Sequence, residues 1–167
     1  MMVNFSSRIR SLPIALGTML LAIMTCSPLS ADVAQKPFLT SEDAAAMAAA
    51  CLDYARKNDF AIAVAVVDDG GHLLTFHRTH NLRYNVVDLT IRKAVTAYEA
   101  ARPTRVLQER FKDGDLGILA LGQYPYGGGL PVFINDHIIG GVATGGAGRE
   151  REEECAERAL QVLTKTE

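Results

Sequence analysis

The run from Gly127 to Leu163 constrains this chain most. Gly127-Gly128-Gly129 leads into an apolar run ending at Ile134, and a second run, His137 to Ala143, follows Asn135-Asp136. Two apolar runs across a short polar break predict a hairpin. Thr144-Gly145-Gly146 then leads into a charged segment whose periodicity predicts a helix through Ala156 and Leu163. Glycines let backbone approach a neighbour closely, and a helix start offers unpaired N–H groups. The spacing therefore marks this end of the hairpin as a candidate ligand end and anion cradle.

The rest of the chain supplies partners for that hairpin. Thr40-Ser41-Glu42-Asp43 reads as a helix start, with Ala44, Met47, Ala48, Cys51, Leu52 and Ala55 at helical spacing behind it. Ala61 to Val67 has no polar residue and predicts a strand covered on both faces. Asp68-Asp69-Gly70-Gly71 predicts a turn, and His72 to Thr79 a returning strand with Leu74 and Phe76 pointing one way. Thr79 to Asn85 is an irregular polar connector. Val86 to Ala101 reads as a second long helix, Thr104 to Phe111 as a short one, and Leu116 to Leu121 as a short apolar strand. The predicted order is α-β-β-α-α-β-β-β-α, an α+β domain with helices on both faces of a largely antiparallel sheet.

Residues before that domain read as an address. Arg8 and Arg10 precede an apolar stretch from Leu12 to Met24, and no acid occurs before Asp32. This is the layout of a secretory signal over 1–31, too short for a comfortable membrane span, with 32–38 as a linker and 39–165 as the domain. Ile23-Met24-Thr25-Cys26 weakly resembles a lipoprotein processing site. Removing Arg8 and Arg10 takes the formal charge from −2 to −4, which gives no electrostatic case for nucleic acid. An oxidising compartment permits a Cys51–Cys155 bridge, but two buried free thiols on apolar helix faces are the simpler expectation.

The chemistry-bearing residues are few. No pair of histidines has zinc-site spacing, and each of His77, His80 and His137 reads first as an ordinary polar residue and second as a candidate iron or metal ligand. Tyr124 and Tyr126 flank Pro125, where they either wall a planar ligand or cap the sheet. Lys93 reads as a solvated lysine on a helix flank or as a carboxylate-binding group. Glu150, Glu152, Glu153, Glu154 and Glu157 read as helix-dipole compensation, with a surface cation site as the sharper alternative. No nucleophile elbow and no phosphate-loop lysine is present.

Taken together, these segments resemble the GlcG/HbpS family, the haem-degrading domain. Val66 to Leu74 resembles its first hairpin, followed by Arg78; Lys93-Ala94-Val95-Thr96-Ala97 resembles its Lys-Ala-x-Thr-Ala helix. Gly128-Gly129-Leu130-Pro131-Val132, Ile139 to Gly146, and Glu152 to Ala156 resemble three further family segments in the same order. Thr79-His80-Asn81-Leu82 and Thr144 depart from the family pattern.

The resemblance implies a profilin-like α/β/α sandwich with a five-stranded sheet, homo-oligomers, and haem binding in secreted members, with haem degradation and iron release. It points to a tetrapyrrole groove at Arg78, Lys93, Tyr124, Tyr126, Gly128, Gly129, Thr144, Gly145 and Gly146. Propionates would be met by Arg78, Lys93 or Arg149, and iron by His77, His80, His137 or a tyrosine. Two other readings stand beside this one. In the first, a small enzyme binds an organic acid through Lys93 and the Thr144–Gly146 amides. In the second, the chain is a sensor or assembly subunit without chemistry.

Overall fold

Thr40 starts the first helix by a reciprocal cap: its hydroxyl accepts from the Asp43 N–H at 3.0 Å, and the Asp43 carboxylate accepts from the Thr40 N–H at 3.2 Å. The computed structural model describes residues 36–165, so the expected signal peptide, Cys26 and most of the linker lie outside the described residues. Helix α1 (Ser41–Lys57) buries Ala44, Met47, Ala48, Cys51 and Ala55. Strands β1 (Ala63–Val67) and β2 (Leu73–Arg78) follow, then helices α2 (Val86–Ala100), α3 (Thr104–Lys112) and the short α4 (Gly117–Ala120). Strands β3 (Gly129–Ile134) and β4 (His137–Gly145) form the expected hairpin, and helix α5 (Arg149–Leu160) follows. A 3₁₀ turn at Leu163–Lys165 ends the described chain.

The sheet is antiparallel in the order β2-β1-β4-β3. β1 is central and buried along its length, as its unbroken apolar run predicts. Val64 and Val66 face the core shared with α1 and α5, whereas Ala65 and Val67 face the core under α2. Small residues govern the α2 face. A Cβ at Gly141 would stand 2.2 Å from the Ala94 carbonyl oxygen, so only glycine lets α2 lie this close to β4.

Three expectations are corrected. The sheet has four strands among the described residues, not five, because the Leu116–Leu121 run turns into α4. There the Asp115 carboxylate accepts from the Gly117 N–H at 3.1 Å and Ile118 alone is buried. A short apolar run does not by itself distinguish strand from helix.

Leu74 and Phe76 do not share a face. Val66 pairs with Thr75 but Val67 pairs with Leu73, so β2 carries an extra residue at Leu74. This bulge sends Leu74 to the α1 side and leaves Phe76 on the α2 side.

Cys51 and Cys155 are bonded to each other, not free. The apolar faces of α1 and α5 converge on the same face of the sheet, which brings the two sulfurs together across 104 residues of sequence. No helix among the described residues is long and apolar enough to cross a membrane.

Candidate functional site

Lys93 is the centre of the end of the fold that carries the glycine loops. It belongs to the inner face of α2 and is fully buried, not solvated on the helix flank. Its Nζ donates to Glu152 Oε2 at 2.7 Å and to the Gly127 carbonyl at 2.7 Å. Burial pushes the Lys93 ammonium below its ordinary range; the nearby Glu152 carboxylate only partly offsets this. Gly128 is required at this contact: its φ is +98°, and a Cβ there would stand 2.8 Å from Lys93 Nζ.

Glu152 completes the arrangement from the first turn of α5. Its Oε1 accepts from the N–H groups of Gly146, Ala147 and Gly148 at 2.8, 3.2 and 3.2 Å. Its backbone carbonyl accepts from the Thr144 hydroxyl at 2.6 Å. The glycine loop before α5 is thus an anion cradle, as predicted, but its anion is the chain's own carboxylate. Thr144 and Gly145 are buried in the fold, and the Gly146 N–H is taken. Gly129 is held by Thr104, whose hydroxyl accepts from its N–H at 2.9 Å. Lys93, Thr144, Gly145, Gly128 and Gly129 therefore brace the two glycine loops from within.

Two hollows hold the other candidate residues. The first has a volume of about 600 Å³ and is lined by Asn81, Leu82, Arg83, Asn85, Val86, Leu89, Tyr126, Gly127, Gly146, Gly148, Arg149 and Glu152. The Tyr126 ring centroid lies 5.9 Å from Lys93 Nζ, and its ring is 6.3 Å from that of Tyr124. The Tyr124 N–H donates to Thr96 Oγ1 at 2.9 Å, which pins this loop to α2.

The second hollow is an open groove of about 490 Å³ beside the C-terminal end of α1. Leu52, Ala55 and Phe60 line it with Arg56, Asp59, Arg78, Thr79 and His80. The Thr79–Asn85 connector separates the two hollows. Thr79 anchors it, since its hydroxyl accepts from the Ile62 N–H at 2.8 Å and its N–H donates to the Ile62 carbonyl at 2.9 Å.

The expected single groove is therefore divided. Arg78 and His80 come together in one hollow; Tyr126 and Gly146 line the other, and Lys93 lies behind it. His77 is exposed on β2 opposite Val64. His137 is exposed at the hairpin turn, its Nδ1 2.8 Å from the Asn135 carbonyl. Among the described residues no three His, Cys, Asp or Glu side chains cluster as a metal site.

Sequence reasoning did not single out Glu152 from its acidic neighbours, nor give a role to Arg56, Asn81, Arg83 or Asn85. An arginine between two asparagines in an otherwise irregular connector was the signal available for the last three.

Comparison with known proteins shows the family and the fold. The family described as "Haem degrading protein HbpS-like" matches residues 39–161. The chain belongs to the HbpS-like family. This HbpS-like chain is 32% identical to Protein GlcG of Escherichia coli K12 over 108 residues, 64% of this chain and 81% of that protein. Its fold superposes on Klebsiella pneumoniae protein ORFY with a TM-score of 0.74 at 29% identity, covering 81% of this chain and 97% of that one. Against HbpS the TM-score is 0.72 at 28% identity, covering 79% and 94%. The PduOC:heme complex shares the fold, with a TM-score of 0.70 at 22% identity over 75% of this chain and 94% of that one.

Proposed function

We propose that this chain is an exported haem-binding protein that takes haem in the His80 groove. The juxtaposition of His80 with Arg56 and Arg78 over an apolar floor, in a member of the HbpS-like family, carries the reading. Haem needs an iron ligand, partners for two propionates, and a flat apolar face. Leu52, Ala55 and Phe60 supply the face, Arg78 and Arg56 the cations, and His80 an exposed imidazole. Arg56 is shared with Asp53 at 3.0 Å and Asp59 also lines the groove, so Arg78 is the stronger propionate partner. Of the other histidines, His137 contacts its own turn and His72 lies 3.5 Å from Asp68. Bound haem would supply redox-active iron; the groove's openness suits uptake and hand-over.

Export rests on the layout of residues 1–31 and on the Cys51–Cys155 bond, since disulfides persist in oxidising compartments. Titration of the purified protein with haemin tests the binding. A saturable Soret shift is expected, lost or displaced in His80→Ala and weakened in Arg78→Gln. No saturable shift, or a His80→Ala spectrum identical to the parent, refutes the assignment. Decay of that band under a reductant in air, with chelatable iron appearing, would add degradation and iron release to binding.

A further inference from the structure

We infer that the hollow between residues 81–89 and the two glycine loops binds a small dicarboxylate, held by Arg83 and Arg149. Arg83 and Arg149 line this hollow, and Glu152 is the one carboxylate that lines it with them. Both oxygens of Glu152 are already used, one by three backbone amides and the other by Lys93. Lys93 also balances its charge. Arg83 and Arg149, both exposed, therefore line the hollow with no carboxylate in its wall free to pair with them. Arg56, Arg105 and Arg110 each have a carboxylate within 3.2 Å; Arg83 and Arg149 have none among the described residues.

The donor types select the ligand. Phosphate is typically held by backbone amides at a helix start, and here the Gly146, Ala147 and Gly148 amides are already taken by Glu152. The side chains lining the hollow offer planar guanidinium forks and the amides of Asn81 and Asn85, which match the planar oxygens of carboxylates. Two forks fit two carboxylates. Leu82, Val86, Leu89 and the Tyr126 ring give the hollow an apolar wall for the carbon skeleton between them. At about 600 Å³ the hollow has room for an aliphatic or single-ring diacid. This site is separate from the His80 groove and does not depend on the haem reading. Haem is itself a dicarboxylate, however, so the test must separate the two sources.

The experiment is isothermal titration of the purified protein with succinate and with phthalate, and with acetate and inorganic phosphate as comparators. Saturable binding of at least one diacid is expected, at least about tenfold tighter than acetate or phosphate. Arg83→Gln and Arg149→Lys should each weaken it by about tenfold or more, with unchanged circular dichroism; the lysine keeps charge but loses the fork. Lys112→Gln, on the outer surface of α3, should bind as the parent does. The proposal is overturned if neither diacid binds saturably, if phosphate binds as tightly, or if both arginine variants retain the parent affinity. It is also overturned if haemin displaces the diacid one for one, because the hollow would then be the haem site.

Discussion

Lys93→Met tests the buried brace most directly. Methionine keeps the unbranched stem of the side chain and removes the ammonium. Glu152 Oε2 then loses a partner at 2.7 Å and the Gly127 carbonyl loses its donor. The Glu152 side chain is 9% exposed, so water can replace little of what is lost. Breaking a buried ion pair from one side costs about 3–5 kcal/mol. About 4 kcal/mol is close to a thousandfold in the folding equilibrium, a large part of the roughly 5–15 kcal/mol that holds a domain together.

The assay is urea unfolding followed by far-ultraviolet circular dichroism. The midpoint should fall with the slope unchanged, and Tm should drop by roughly 10–20 °C. Glu152→Gln should cost less than half as much. A glutamine oxygen still accepts from the loop amides, and Lys93, already pushed toward its neutral form by burial, can shed its proton. The double variant should cost less than the sum of the two single ones. A Lys93→Met variant within about 1 kcal/mol of the parent, or strict additivity in the double variant, would refute the buried-pair reasoning.

Two further outcomes follow from the fold. Replacing Cys51 and Cys155 together by alanine should lower stability by about 2–5 kcal/mol, since their bond closes a loop of 104 residues. Alkylation with mass measurement should label these cysteines only after unfolding with reduction, and labelling without reductant would contradict the bond. Asp68 gives the pH dependence. Burial raises its pKa, but the His72 and Gly70 amides lower it further, so it lies below 3.8 in the folded chain. Its contribution is therefore fully present above 3.8 and lost as pH falls through the folded value. Asp68→Ala should show a shallower acid loss of stability than the parent in pH-dependent thermal melts; matching acid limbs would exclude this role.

Much of the frame was legible because its signals are local. The Thr40 cap, the Asp68-Asp69-Gly70-Gly71 turn and the Asn135-Asp136 hairpin each depend on residues a few positions apart. The unbroken apolar run of β1 correctly indicated a strand covered on both faces. The Leu116–Leu121 segment misled because six residues of mixed burial carry no decisive period, and the Asp115 side chain settled the turn. Leu74 misled because a bulge is a property of strand pairing, which one strand's sequence does not display.

The end that carries the glycine loops divides the same way. The chain's sequence by itself determined that the hairpin within Gly127–Leu163 would have glycine loops, that a helix would start beside them, and that this end could cradle an anion. Only the tertiary structure decided which anion: Lys93 and Glu152 are 59 residues apart, and they meet because α2 and α5 pack on opposite faces of a sheet whose glycines bring both within reach. The same packing turned the expected groove into two hollows and put Arg83 and Arg149 in one, and His80 with Arg78 in the other. Short-range backbone preference is written in neighbouring residues, whereas charge pairing across a core depends on which distant side chains the fold desolvates together.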